Sequence, residues 1–246
     1  CPLFKRIFSF MNIKYVYTTG CSYSDGTGLK NTEVEDGKVT YLDKYSRFLS
    51  KKFNAIDVNE ARGGESNQRI HRKTFNWIAN NQDKLNETLF VIQLTYPVRN
   101  EIWSKYKDNN AEISEEDRHW WGAQFGHDGY SAWDHNERDT SVDRDEINFN
   151  YVPHNKECSE ISWRYVLGLQ SYFKSNNIKY ILFEGDINKH GFMDRKCDIA
   201  KLVDFDYFYR EPFLYSAGNR LTECGHPNEE VQIEWADKLY SFYKEK

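Results

Sequence analysis

Four short segments run apolar without strict alternation: 13–19 (IKYVYTT), 55–59 (AIDVN), 89–95 (LFVIQLT) and 179–184 (KYILFE). They are rich in β-branched and aromatic residues, and such runs suit strands of a parallel sheet covered on both faces. A weaker fifth candidate is 206–209 (DYFY). Between these segments apolar positions recur at helical spacing. Segment 41–53 aligns Leu42, Tyr45, Phe48 and Leu49, and segment 67–84 aligns Ile70, Phe75 and Ile78, with Leu85 close by. Segment 160–175 carries Ile161, Tyr165, Val166, Leu169 and Phe173, and segment 229–243 carries Val231, Trp235, Leu239 and Phe242. Ser66 and Asn228 stand where N-caps belong. Strands alternating with helices predict βαβ units, hence a three-layer α/β/α sandwich around a mostly parallel, flavodoxin-like sheet.

The alternation breaks between 100 and 156. This stretch is polar and acidic, with Trp103, Trp120, Trp121 and Trp133 interleaved. A long aperiodic segment inside a domain usually serves as a lid or insertion. Its histidines (His119, His127, His135 and His154) lack HExxH spacing, and 134–146, with Asp139, Asp143 and Asp145, lacks the central glycine of a calcium loop. A solvated acidic loop is the expectation, with no metal and no cofactor. Its tryptophans either pack under the loop or offer flat faces to sugar rings. Residues 1–10 (CPLFKRIFSF) precede Met11, and their apolar stretch is interrupted by Lys5 and Arg6 with no cleavage site after it. They read as an extension ahead of a single domain spanning 11–246.

Charge and cysteine usage narrow the function. The 246 residues carry 33 Lys and Arg against 38 Asp and Glu, a formal net charge of −5. A dedicated nucleic-acid binder would show a basic surplus, so no nucleic-acid partner is expected. No apolar run approaches the roughly 20 residues needed to cross a bilayer, so no membrane partner is expected either. Five cysteines, at 1, 21, 158, 197 and 224, form no CxxC pair. Neither a zinc site nor a disulfide framework is indicated, and a reducing, cytoplasmic setting is expected.

Candidate chemistry lies in the turns, because ligands of an open parallel sheet sit outside the carboxyl ends of its strands. The first strand leads into Thr19-Gly20-Cys21-Ser22-Tyr23-Ser24, the second into Asn59-Glu60-Ala61-Arg62-Gly63-Gly64-Glu65-Ser66-Asn67, and the third into Thr95-Tyr96-Pro97-Val98-Arg99. Glu223-Cys224-Gly225-His226-Pro227-Asn228 precedes the last helix. These turns are expected to converge on one sheet edge. Ester hydrolysis needs a nucleophile, a base to take its proton and donors for the oxyanion. Ser22, at a tight turn after a strand, and His226, titrating near neutrality, supply the first two. Glu223, three residues before His226, is placed to orient the imidazole.

Gly20-Cys21-Ser22 resembles the GDS motif that opens the SGNH (GDSL-type) hydrolases. Asn59-x4-Gly64 resembles their second motif, and Glu223-x2-His226-Pro227-Asn228 resembles their final D-x-x-H-P-N. The three appear in the family's order. With Gly63-Gly64-Glu65-Ser66-Asn67 they are also similar to a divergent phage and microbial subgroup. The resemblance implies a Ser22–His226–Glu223 triad and an oxyanion hole built on the Gly64 and Ser22 backbone N–H groups.

The departures are specific. Cys21 replaces the aspartate of GDS, Glu223 replaces the acid's usual aspartate, and the third motif, Gly-x-Asn-Asp, is absent after the third strand. Asn67, near Gly64 in sequence, is the candidate for the missing oxyanion amide, and Arg99 for contact with an anionic substrate group or the oxyanion. Alternatives stay open at each point. Ser22 also suits a helix cap, Gly63 and Gly64 a plain turn, and Cys21 or Cys224 a thiol nucleophile. The expected activity is hydrolysis of a small acyl ester, on a carbohydrate or related metabolite. The competing expectation is a catalytically silent glycan-binding protein of the same fold.

Overall fold

The computed structural model describes residues 13–35, 38–97, 99–103, 120–126, 129–132, 155–185 and 195–246, with the backbone alone at 35, 38, 100–103, 120–126, 129–132 and 155–156. In chain order the strands and helices are β1 (Tyr15–Thr19), α1 (Ser22–Asp25), β2 (Thr32–Glu35), β3 (Lys38–Tyr41), α2 (Tyr45–Phe53), β4 (Ile56–Asn59), α3 (Asn67–Asn80), β5 (Thr88–Leu94), β6 (Arg99–Trp103), β7 (Trp120–Gly126), β8 (Gly129–Ala132), α4 (Asn155–Ser175), β9 (Lys179–Glu184), β10 (Phe208–Tyr209), α5 (Phe213–Ala217) and α6 (Glu229–Lys244).

The main sheet runs β10-β9-β5-β1-β4, with every pairing parallel. Counting only its own strands in chain order, this is the flavodoxin-like 2-1-3-4-5 arrangement, and the winding reverses between β1 and β5. Side chains alternate across the sheet, and that divides the core in two. Phe90, Ile92 and Leu94 of β5 face Ile70 and Ile78 of α3 and Trp163, Val166 and Phe173 of α4. Leu89 and Val91 face Leu49 of α2, Phe213 of α5 and Trp235 and Leu239 of α6. All seven residues of β5 are buried, which is why its sequence reads as a continuous apolar run. Burying each such side chain contributes about 1.5–3 kcal/mol before chain entropy is set against it. The sheet is therefore covered on both faces, and the expected three layers are present.

Several boundaries differ from the sequence reading, each for a local reason. Helix α2 begins at Tyr45, because 38–41 pairs with Thr32–Glu35 as an antiparallel hairpin. Tyr41 therefore lies opposite Thr32, outside the helix. Helix α3 stops at Asn80 and gives way to a 3-10 turn over Gln82–Glu87. The expected caps form. Ser66 Oγ accepts from the Arg69 N–H at 3.1 Å and Asn228 Oδ1 from the Val231 N–H at 3.2 Å. Within 100–156 the backbone forms the antiparallel sheet β6-β7-β8. His119, His127, His135, His154, Asp139, Asp143, Asp145 and the 1–10 extension lie outside the described residues. No described helix is long and apolar enough to cross a membrane.

Candidate active site

Where the winding of an open α/β sheet reverses, the loops leaving adjacent strands diverge and leave a crevice. Here that crevice is a cleft of about 210 Å³. Cys21, Ser22 and Tyr23 line it after β1, and Gln93, Thr95, Tyr96 and Arg99 line it from the end of β5 onward. Cys224, Gly225 and His226 close it from the loop before α6.

Ser22 is the first residue of α1, a single helical turn that Gly26 ends in the left-handed region at φ 91°, its N–H donating to the Ser22 carbonyl. The first N–H groups of a helix have no partner within it, so the Ser22 N–H is open to a ligand. The Ser22 hydroxyl has no hydrogen-bond partner among the described residues, so its orientation is not tied up in the fold. The loop after β4 runs alongside. A Cβ added to Gly63 would stand 3.8 Å from Ser22 Cβ, and the neighbouring Gly64 takes φ 76°, open to glycine at no steric cost. The Asn59 amide donates to the Ser24 carbonyl at 2.9 Å and fixes α1 to the end of β4.

His226 sits in a loop closed on itself. The Thr222 N–H donates to the His226 carbonyl at 2.7 Å, and Leu221 bridges Pro227. Its ring meets Tyr23 edge-on, with centroids 5.4 Å apart, so segments from the two ends of the chain touch here. His226 Nδ1 lies 3.2 Å from the Cys224 carbonyl and 3.2 Å from Cys224 Sγ. A carbonyl only accepts, so its contact favours the tautomer with the proton on Nδ1 and Nε2 as the basic nitrogen. Burial and, more weakly, the positive charge of Arg99 disfavour the imidazolium, while the Cys224 carbonyl favours it. The balance holds His226 below the ordinary histidine value.

The residues named from sequence fare differently. Ser22 and His226 share the cleft, although no direct hydrogen bond joins them among the described residues. Glu223 is exposed and forms no hydrogen bond or ion pair with the imidazole among the described residues. The loop curls so that the main chain of Cys224, two residues before the ring, takes the place expected for that carboxylate. Asn67 is also displaced from its expected role. It is 2% exposed, its Nδ2 donates to the Thr95 carbonyl at 3.0 Å and to Ser162 Oγ at 3.1 Å, and its Oδ1 accepts from the Thr95 N–H at 2.8 Å. Both amide protons are engaged, so Asn67 anchors the cleft wall at Thr95 and has none left for an oxyanion. Arg99 lines the cleft, its Nη1 donating to Thr95 Oγ1 at 3.0 Å and its guanidinium stacked 4.6 Å from the Tyr96 ring centroid.

Two positioning residues were not singled out from sequence. Gln93, fully buried near the end of β5, donates from Nε2 to Cys21 Sγ at 2.8 Å and accepts from Ser24 Oγ. Ser24 Oγ in turn lies 2.7 Å from the Tyr45 hydroxyl. Gly20 and Gly185 leave room for this amide, since a Cβ on Gly185 would fall 2.0 Å from Gln93 Nε2. A glutamine inside LFVIQLT was the available signal, because a polar residue at a sheet's carboxyl edge needs partners. Gln232 of α6 accepts from the Tyr45 N–H at 2.9 Å and donates to the carbonyls of Tyr23 and Pro227, each at 3.5 Å. It joins the Ser22 turn to the His226 loop.

No family model matches the chain, and no curated protein matches it in sequence. Solved structures do match. The psychrotrophic esterase EstA from Pseudoalteromonas sp. is 12% identical with a TM-score of 0.52, over 94% of this chain and 97% of that one. TesA is 11% identical with a TM-score of 0.51, over 94% of this chain and 99% of that one. The acetyl xylan esterase Est2A from the rumen bacterium Butyrivibrio proteoclasticus is 10% identical with a TM-score of 0.50, over 94% of this chain and 64% of that one. At such identities the likeness is one of architecture. This chain has the α/β fold of the SGNH (GDSL-type) hydrolases.

Proposed function

We propose that the chain is a serine esterase acting on a small acyl ester, with Ser22 as nucleophile and His226 as general base. The observation that carries this reading is one cleft at the switch point of the sheet lined by both an unengaged hydroxyl and an imidazole whose charged form burial disfavours. Ser22 Oγ attacks the acyl carbonyl carbon while His226 Nε2 takes its proton. The oxyanion is held by the backbone N–H groups of Ser22 and Gly64, each such donor contributing about 2.7–4 kcal/mol in the transition state. The imidazolium then returns the proton to the leaving alcohol as the C–O bond breaks. A water molecule, deprotonated by the same nitrogen, releases the acid and regenerates Ser22. The Cys224 carbonyl orients the ring and helps to stabilise its charged form, as a carboxylate does in other triads. A cleft of about 210 Å³ suits a short acyl group, and an acylated sugar fits the reading because an acetyl xylan esterase is among the fold neighbours.

The competing reading is a glycan-binding protein without turnover. It draws on the engaged amide of Asn67 and on an imidazole with no carboxylate partner among the described residues.

A pH profile on short-chain p-nitrophenyl esters and acetylated sugars tests the assignment of the base. His226 must be neutral to act, and its surroundings push its pKa down from 6.5. The plateau of kcat/KM is therefore expected to extend through neutrality and below pH 6.5 before falling on the acid side, with the limb reporting the free enzyme. A limb above that value, or a profile without one, contradicts His226 as base. Absence of turnover on every ester favours the binding protein.

A further inference from the structure

The cleft contains one full charge among its described lining, that of Arg99, and no Asp or Glu. This stands out in a chain whose net charge is −5. Arg99 forms no ion pair among the described residues. One of its five N–H donors goes to Thr95 Oγ1, and Tyr96 covers one face of the guanidinium. Thr95 is itself held at both its N–H and its carbonyl by Asn67, so the group is braced against the wall. A planar cation held this way keeps an open edge of donors, which matches the two oxygens of a carboxylate, sulfate or phosphate. Desolvating arginine without giving it such a partner is costly, and proteins normally pair it or leave it in water.

We propose that Arg99 forms an anion subsite, so that the preferred ester carries a fixed carboxylate, sulfate or phosphate near the scissile bond. This rests on the reading of the cleft as the ester site. The anion docks edge-on against Arg99 while the acyl carbonyl lies at Ser22. Arg99 is here a specificity-determining residue, distinct from the oxyanion donors. The depressed pKa of His226 fits this layout, since the charge of Arg99 is felt at the ring. A bound anion would offset that influence and raise the basicity of the imidazole in the complex.

The test uses two matched pairs of probes. On the alcohol side, 4-acetoxybenzoate is compared with 4-acetoxybenzamide, and on the acyl side, the 4-nitrophenyl monoester of adipate with 4-nitrophenyl pentanoate. Binding is measured by NMR titration on Ser22→Ala, where no hydrolysis intervenes, and kcat/KM on the wild type. In at least one pair the charged probe is expected to bind about tenfold to a hundredfold more tightly than its neutral partner, as a charge-assisted hydrogen-bonded pair does. Adding Arg99→Gln should bring that ratio close to one. Arg99→Lys should retain part of it, because the charge remains while the fork is lost. The pair that responds identifies the side of the ester bearing the anion. Equal binding within both pairs, or a ratio that survives Arg99→Gln, overturns the subsite. So does a parallel loss of turnover on charged and neutral esters with the ratio kept, since that is the behaviour of an oxyanion donor. An Arg99-dependent binding preference without turnover in the wild type keeps the subsite and refutes the esterase reading. Turnover without preference does the reverse.

Discussion

Ser22→Ala is expected to lower kcat on short-chain p-nitrophenyl esters by roughly 10⁴–10⁶-fold while leaving the thermal midpoint almost unchanged. The first half follows from chemistry. Without the hydroxyl there is no acyl-enzyme, and only the backbone donors and binding remain to assist water. The second half follows from the fold. The Ser22 hydroxyl has no hydrogen-bond partner among the described residues, so its removal strands no buried group. Substitutions of this type usually change stability by less than about 0.5 kcal/mol. His226→Ala should fall by a similar factor, and the double variant should be no slower than the worse single one, because the two groups act as a unit. Undiminished turnover in Ser22→Ala rules out the mechanism.

Asn67→Ala is expected to act in the opposite way, with a large loss of stability. The side chain holds the N–H and the carbonyl of Thr95 and the hydroxyl of Ser162 in a buried setting. Truncation leaves these groups without partners at about 1–3 kcal/mol for each one that water cannot reach. A total near 2–4 kcal/mol corresponds to a thermal midpoint lowered by roughly 5–15 °C for a chain of this size. An oxyanion donor would behave differently, losing about 10²–10³-fold in kcat with little change in stability. Thermal denaturation beside initial rates at a temperature where the variant is folded separates the two roles. A midpoint within a degree of the wild type, with kcat down a hundredfold, returns Asn67 to the oxyanion hole.

The layers were legible because burial on both faces leaves a plain mark. Strands β1, β4, β5 and β9 are the apolar runs read from the sequence, shifted by at most two residues. Helices α2, α3, α4 and α6 carry period-3.6 stripes, and the caps at Ser66 and Asn228 stand where their side chains announce them. The hairpin of β2 and β3 escaped notice because it lies outside the main sheet, with Val34 and Val39 exposed, so its residues carry no burial signature. Helix α5, five residues long, is too short to show a period.

At the site, Ser22, Arg99 and His226 are the residues named from sequence that line one cleft. What was hidden depends on main-chain atoms and on distant partners. A backbone carbonyl stands at Nδ1 of His226, and no sequence motif records a carbonyl. Glu223 stands three residues before His226 in the chain, yet no hydrogen bond or ion pair joins the two among the described residues. Asn67 was close to Gly64 in sequence, but Thr95 and Ser162, 28 and 95 residues further along, determine where its amide goes. Gln93 and Gln232 were visible as polar letters in apolar settings. Their partners at Cys21, Ser24, Tyr45 and Tyr23 become apparent only when the chain is folded.

The most direct measurement is covalent labelling of the native protein with an alkyl fluorophosphonate, followed by peptide mass spectrometry. One adduct per chain on the peptide containing Ser22, absent in Ser22→Ala and strongly slowed in His226→Ala, is the predicted result. No adduct at all, or one that forms at the same rate on another side chain when Ser22 is alanine, contradicts the assignment of an activated serine to this cleft.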